Sequence, residues 1–489
     1  MKSMDRRRFL ALTAATAVSL KSFAQSPQPA TLTLHPDQPG PTIPQNFIGL
    51  SYETQQLSDP TFFSPSNTGL ITQLRELAPN GILRLGGNTS DYGYWKPTPD
   101  SKMPPRKPRE YKVGDPDPNT SYAVTPEAVH NLKAFLDATG WTCLYGINLG
   151  TNIPSLAAEE AAFVSKTLGA KLEFFQVGNE ADRFGSTIRD PKTWSADTYL
   201  DEWLTFAKAI IASVPNAKFG MPDIASNEKW FATIGARLAN DPIRSHIACL
   251  SHHYYIGGPP SNPEMTISHI LKANPRVVSV AHTVQNAAAK LQTAWRMTEG
   301  NTCYRGGKPG VSDTFASALW SADYLLLLAS LGYSGVNLHG GDGQMVANSL
   351  GGKLPGDDLV TDNPANHPHP YYTPIAHIGS TYIAEPVSFG MKFANHFAGA
   401  TIIPVDFDPG PINATAYAAT LPTGQIAIAI INKDESQPLP LNLPGFTGSL
   451  VMHATSLAST HVEFSEPSGN REMSSIPPAT AAILYRTRG

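Results

Sequence analysis

Cysteine is scarce in this chain. Three occur among 489 residues, Cys143, Cys249 and Cys303, and an odd count excludes a complete set of internal disulfides. Cys143 and Cys249 sit in apolar runs and read as small core residues. Cys303 lies near Glu299 in a Gly-rich loop, where packing is the expected role. Charge is also sparse: 16% of residues are Asp, Glu, Lys or Arg, and the net charge is -4. The 41% apolar content is enough for a sizeable core, so the low charge fits a folded chain rather than a disordered one. Without a basic surplus, nucleic acid is not the expected partner. There is no internal repeat, no low-complexity tract and no apolar run long enough to span a bilayer.

What is present begins with a targeting pattern. Arg6, Arg7 and Arg8 precede the apolar run Phe9 to Leu20, and small residues lead to Ala24. The order resembles a bacterial twin-arginine export signal over residues 1–24, with an ordinary secretory signal as the alternative. Either predicts an exported protein, periplasmic or secreted.

From residue 46 to 384, short apolar runs alternate with helical patterns. Eight runs read as strands: Phe47–Tyr52, Ile82–Leu85, Thr142–Leu149, Leu172–Val177, Ala217–Met221, Ile247–Tyr254, Ala294–Thr298 and Gly335–Leu338. Thr125-Pro126-Glu127 supplies an N-cap and a Pro at the first helical position, and Phe315 to Ala329 has helical length. Alternating apolar strands and helices predict an α/β fold, a (β/α)₈ TIM barrel. Two long loops, 95–124 and 340–370, are expected at its mouth. The first carries the basic stretch Lys102, Arg106, Lys107, Arg109 and Lys112. Over 385–489, short strand-like runs between Pro, Gly and Asn turns predict a β-sandwich. Residues 25–45, with alternating Thr31–His35, are expected to add a strand to it.

Catalytic groups of such barrels sit at the C-terminal ends of strands. Two acids do so here: Glu180, after Leu172–Val177, and Glu299, after Ala294–Thr298. An acid at such a place needs a partner or a function. Arg84 or Arg296 would supply the first. Two carboxylates across a cleft are also the equipment of glycoside hydrolysis, with retention at a separation of about 5–5.5 Å and inversion at a wider one.

Here a resemblance enters. Asn179-Glu180 and Glu299 resemble the pair of glycoside hydrolase clan A. Leu83-Arg84-Leu85-Gly86-Gly87, Gln176 to Glu180, His252-His253-Tyr254-Tyr255, Tyr304-Arg305-Gly306-Gly307 and Ser312 to Ala316 resemble family 79, that of β-glucuronidase and heparanase. These pieces lie within 47–375, the barrel. The resemblance implies Glu180 as general acid/base, Glu299 as nucleophile and Asn179 as donor to the sugar 2-hydroxyl. It implies that Tyr304, Gly306, Gly307 and Tyr372 (or Tyr371) bind the sugar carboxylate, with Lys308 as counter-charge. Glu53 would accept from sugar hydroxyls. His252 and Tyr254 share a face of their strand, and the resemblance gives Tyr254 the task of orienting Glu299. No metal, no cofactor, no nucleic acid and no mature membrane anchor are expected. The expected partner is a β-glucuronide or a glucuronic-acid-capped oligosaccharide. Low basicity and a closing loop favour exo action over heparanase-like endo action. Another clan A sugar specificity, or an inactive carbohydrate-binding barrel, are the alternatives.

Overall fold

The computed structural model describes residues 29–104, 121–350, 369–466 and 472–486. The stretch read as an export signal lies outside these, as do Arg106, Lys107, Arg109 and Lys112 and residues 351–368 of the second long loop.

All eight expected strands form, at Ile48–Glu53, Ile82–Gly86, Thr142–Ile147, Leu172–Val177, Phe219–Ile224, Ile247–Gly257, Ala294–Cys303 and Val336–His339. They pair in chain order and close into a parallel barrel, the eighth on the first. Helix Pro126–Thr139 begins as expected: the Thr125 side chain accepts from Ala128 N–H, and Pro126 stands at the first turn. A 3₁₀ turn, Thr54–Ser58, and helix Thr68–Leu77 follow the first strand, and helix Trp230–Leu238 follows the fifth.

Strand alternation divides the core. Leu83, Leu85, Cys143, Tyr145 and Leu250 face the helices in one large apolar cluster. Ile82, Leu144, Phe174 and Cys249 form a small apolar plug inside the barrel. Two residues further along their strands, toward the C-terminal end, stand Arg84, Gln176 and Ser251, all buried. The barrel is therefore apolar below and hydrogen-bonded above, and the site rests on that polar layer.

The helical layer continues past residue 384, where the change of periodicity set the boundary. Helix Pro386–Asn395 packs along helix Phe315–Ser330 and touches helix Thr68–Leu77. The approach is so close that a Cβ on Gly390 would lie 2.0 Å from the Ala318 carbonyl oxygen. A six-stranded antiparallel sheet follows, in the order Thr401–Ile403, Ala414–Thr420, Ile426–Asn432, Thr480–Arg486, Phe446–His453, Glu463–Ser465. Ile428, Ile430, Ala482 and Leu484 line one face. Ala427, Ala429, Ile431, Ala481 and Ile483 line the other and merge with the barrel's outer core. Thr31–Leu34 pairs antiparallel with Val405–Asp408, and its leucines pack on the first face. A polar tie joins the modules: Asp323 on helix Phe315–Ser330 accepts from Thr415, Tyr417 and Lys433 at 2.5–2.7 Å.

All three cysteines are buried and free. Burial pushes the Cys303 thiol up to about 12, so it packs rather than reacts.

Candidate active site

A cavity of about 350 Å³ opens at the C-terminal end of the barrel. Its walls include Glu53, Asn179, Glu180, Tyr254, Glu299, Tyr304 and Tyr372 from the residues singled out in the sequence, together with Tyr255, Arg305 and His339.

Glu180 follows the fourth strand in a left-handed conformation, φ 47° and ψ 43°, a costly backbone state for a residue with a Cβ. It is held there: its N–H donates to the Asp223 carbonyl at 2.9 Å. Glu299 enters differently. The pairing of the sixth and seventh strands slips between Met297 and Glu299. Such a bulge re-aims side chains, so the Thr298 hydroxyl and the Glu299 carboxylate both reach the interior. Thr298 donates to Asp223 and Glu299 accepts from Arg84.

Arg84 is the hub. Its guanidinium is fully buried and donates to Ser51 Oγ, Glu299 Oε2 and Asn179 Oδ1 at 2.8 Å, to Gln176 Oε1 at 2.9 Å and to Asp223 Oδ2 at 2.5 Å. The ion pair weighed as an alternative to function is therefore present, and Glu299 lines the cavity as well. Arg296 lies elsewhere, donating to Asn337 Oδ1 and to the carbonyls of Ser334 and Phe47.

Two histidines complete the electrostatics. His253 Nδ1 is 3.1 Å from Glu180 Oε1 and 3.9 Å from Glu299 Oε2, and its Nε2 is 3.2 Å from Asp223 Oδ2. Burial opposes its charge, but Asp223 and Glu299 push its pKa up to about 10. His339 stands between Glu53 Oε1, 3.5 Å away, and Glu299 Oε2, 3.9 Å away. Burial would raise the Glu299 carboxyl, yet His339, His253, Arg84 and the Tyr255 hydroxyl bring it down to about 2. Glu299 is thus a buried anion at rest. Glu180, His253 and Glu299 bring possible ligand atoms within 4.8 Å of one another. His253 itself bridges the two carboxylates, its Nδ1 at 3.1 Å from Glu180 Oε1 and 3.9 Å from Glu299 Oε2.

The sixth strand corrects one reading. The inward residues are Cys249, Ser251, His253 and Tyr255, not His252 and Tyr254. Tyr255 Oη donates to Glu299 Oε1 at 2.8 Å. His252 instead meets Tyr333 Oη at 2.8 Å, while Tyr254 stacks on Tyr324 at 6.2 Å under the Arg276 guanidinium. With Cys249 in the plug, the period of two puts odd-numbered residues inside. Tyr255→Phe should cut kcat about 10- to 100-fold, roughly the 1.5–3 kcal/mol of a hydrogen bond to a charged group. Tyr254→Phe should change it less than threefold by the same steady-state assay, since its hydroxyl meets no reacting group.

The loop after Glu299 also differs from expectation. Lys308 turns away, its Nζ donating to the Asn262 carbonyl at 3.1 Å. Arg305 stands in the cavity wall in its place. Gly306 and Gly307 are left-handed, φ 88° and 85°. They shape the turn rather than line the cavity: Gly306 O accepts from Tyr372 N–H at 3.3 Å, and a Cβ on Gly307 would lie 2.7 Å from that nitrogen. Of the adjacent tyrosines, Tyr372 lines the cavity, beside Tyr255 at 6.3 Å between ring centres. Glu53 accepts from Thr89 N–H and Oγ1 at 2.9 and 2.7 Å. Asn179 shows its remaining amide group to the cavity, 3.5 Å from Asn88 Oδ1.

Asp223 and His339 had no place in the sequence argument, and His253, Tyr255 and Arg305 entered it only inside the motifs of the resemblance, with no role assigned. One available signal was the rule that flagged Glu180 and Glu299, an acid at a strand's C-terminal end. Pro222 hid it for Asp223, because a proline argues against a continuing central strand.

The fold defines a barrel with a companion β-sandwich, and solved structures share it. A 4-O-α-L-rhamnosyl-β-D-glucuronidase from Fusarium oxysporum 12S aligns with a TM-score of 0.66 at 17% identity, covering 94% of this chain and 99% of that one. The family 51 arabinofuranosidase from Xanthomonas axonopodis pv. citri aligns at 0.64 and 16%, covering 94% and 100%. In sequence, the chain is similar to the β-glucuronidase of Aspergillus niger, 28% identical over 349 residues, which is 63% of this chain and 60% of the relative. It is likewise 28% identical to the β-glucuronidase of Neurospora crassa over 322 residues, 58% of this chain and 54% of that protein. The matches thus span little more than half the length of these curated relatives. No family model matches the chain.

Proposed function

We propose that this chain is a retaining exo-β-glucuronidase. The observation that carries the reading is the carboxylate pair: one oxygen of Glu180 and one of Glu299 lie within 4.8 Å of each other across the cavity, which favours the close spacing of a double displacement over the wider gap of inversion. Glu299, ionised and aligned by Tyr255, attacks the anomeric carbon. The bond to the leaving oxygen breaks as that oxygen takes the proton of Glu180, and a glycosyl ester of Glu299 remains. Glu180, now a carboxylate, takes a proton from water, whose oxygen displaces Glu299. Asn179 faces the place where the sugar 2-hydroxyl would sit, and Glu53 accepts from other hydroxyls.

The named sugar rests on Tyr304, Tyr372 and Arg305, two hydroxyls and a cation after the nucleophile, and on the sequence similarity to two β-glucuronidases. Exo action is favoured by a wall at one end, where Asn88 Nδ2 donates to the Ser349 carbonyl at 3.4 Å and Leu350 adds apolar surface. The same reading takes residues 1–24 as an export signal. Among the described residues, no helix is long and apolar enough to cross a membrane.

Matched aryl β-glucuronide and aryl β-glucoside assays test the sugar, and proton NMR of the first-formed anomer tests retention. Hydrolysis of the glucuronide alone, with the β-anomer first, is expected. Equal rates on both substrates would point to a neutral-sugar glycosidase. Depolymerisation of heparan sulfate without aryl glucuronide cleavage would replace exo with endo action. Arg305→Ala should raise KM for the glucuronide about tenfold while leaving kcat nearly unchanged, the sign of lost ground-state binding to a charged group.

A further inference from the structure

Asp223 lines no part of the cavity, yet more of the site converges on it than on any group except Arg84. It ends the fifth strand with 1% exposure and a left-handed backbone, φ 56°. A buried acid in that conformation is kept only where its surroundings enforce it. Its carbonyl accepts from Glu180 N–H at 2.9 Å, so two left-handed residues fix each other's backbone. Its carboxylate accepts from Gln176 Nε2 at 2.7 Å and from the Thr298 hydroxyl next to Glu299. The same carboxylate accepts from Arg84, which holds Glu299 and Asn179, and from His253, which bridges Glu180 and Glu299.

We propose that Asp223 is the positioning residue of the pair, ordering Glu180 and Glu299 through Arg84 and His253 without meeting the substrate. The proposal rests on the glycosidase reading above and extends it one residue deeper.

Charge is the mechanism. His253 faces Asp223 on the fifth strand, Arg84 on the second, Glu180 after the fourth and Glu299 on the seventh. The two cations Arg84 and His253 lie 3.2 Å apart at nitrogen, and both aim at Asp223 Oδ2. Without the Asp223 charge they repel, and one must lose its proton or move. A guanidinium does not deprotonate in a protein, so His253 yields. A neutral His253 holds both carboxylates less firmly, and the cost falls on turnover more than on binding.

The test is Asp223→Asn, which keeps the shape and removes the charge. Selective ¹⁵N labelling of histidine follows the His253 ring, assigned by its loss in His253→Gln. In the wild type the ring should stay doubly protonated to about pH 10. In Asp223→Asn it should deprotonate near the ordinary histidine value of about 6.5. With the aryl β-glucuronide, kcat should fall at least about 50-fold while KM stays within about threefold. An unmoved titration, or a moved titration with unchanged kcat, overturns the proposal. If Asp223→Asn does not fold, His253→Gln carries the kinetic test: a comparable fall in kcat supports the proposal, and wild-type kcat overturns it. Failure of the wild type on every aryl glycoside would sink the hydrolase reading instead, while the titration would still report the Asp223–His253 link.

Discussion

Glu299→Ala loses hydrolysis by on the order of 10⁴-fold or more, the scale expected when a covalent nucleophile is removed. The structural reason is that Glu299 alone presents an anion aligned by Tyr255 and Arg84, and no neighbouring group can take its place. In the proposed mechanism Glu180 serves the leaving oxygen and does not take over the attack. The substitution leaves a cavity where the carboxylate stood. Azide should fill it and attack an aryl β-glucuronide from the same face, giving the α-glycosyl azide. In Glu180→Ala, by contrast, Glu299 still forms its ester when the leaving group is good, and azide then yields the β-glycosyl azide. Product stereochemistry by NMR therefore assigns the two roles separately. A β-azide from Glu299→Ala would reverse them.

Arg84→Met should produce the largest loss of stability. It strips the counter-charge from two buried carboxylates, Asp223 and Glu299, and breaking a buried ion pair on one side costs about 3–5 kcal/mol. Thermal melting should show a fall on the order of 3–5 °C for a chain of this length, with activity lost as well. The pH dependence follows from the two shifted groups. Glu299 is depressed from 4.5 to about 2, so its contribution is complete above about pH 4.5 and is lost as pH falls toward 2. His253 is raised from 6.5 to about 10, so its contribution is complete below about pH 6.5 and is lost as pH rises toward 10. These two groups alone therefore give the wild type a plateau between those limits. In Arg84→Met the acid-side decline should be shallower and end at higher pH, because Glu299 loses one of the cations that hold its charge and its folded-state pKa moves back toward the ordinary value. Melting curves from pH 3 to 10 would show it, and an unshifted acid limb would mean that His339 and His253 suffice.

The sequence carried the barrel because apolar continuity survives in each strand separately, and eight short runs can be counted without knowing how they meet. The acids Glu180 and Glu299 were legible for the same reason: each closes a run. The phase of a strand is harder, since one residue of offset reverses every side chain. Nothing in His252-His253-Tyr254-Tyr255 says which pair turns inward, and the plug residue Cys249 that decides it reads as an ordinary core cysteine. The bulge at Thr298 is equally silent, because it exists only between two strands. Lys308 alone was expected as the counter-charge, and only the folded glycine turn shows that Arg305 faces the cavity instead. The helix Pro386–Asn395 was hidden by its place after a long loop, where the change of pattern suggested a new module.

The pairing of Thr31–Leu34 with Val405–Asp408 has a consequence for how the chain is made. His35 and Asp406 touch although they stand 371 positions apart, so Thr31–Leu34, made before the barrel, is among the last strands to find its place. Until then its leucines are uncovered, and Val405–Asp408 lacks its pairing partner. Contacts of such long sequence range form late and slowly. Folding must therefore wait for the whole of 31–408, and until then Thr31–Leu34 has to be kept from other partners.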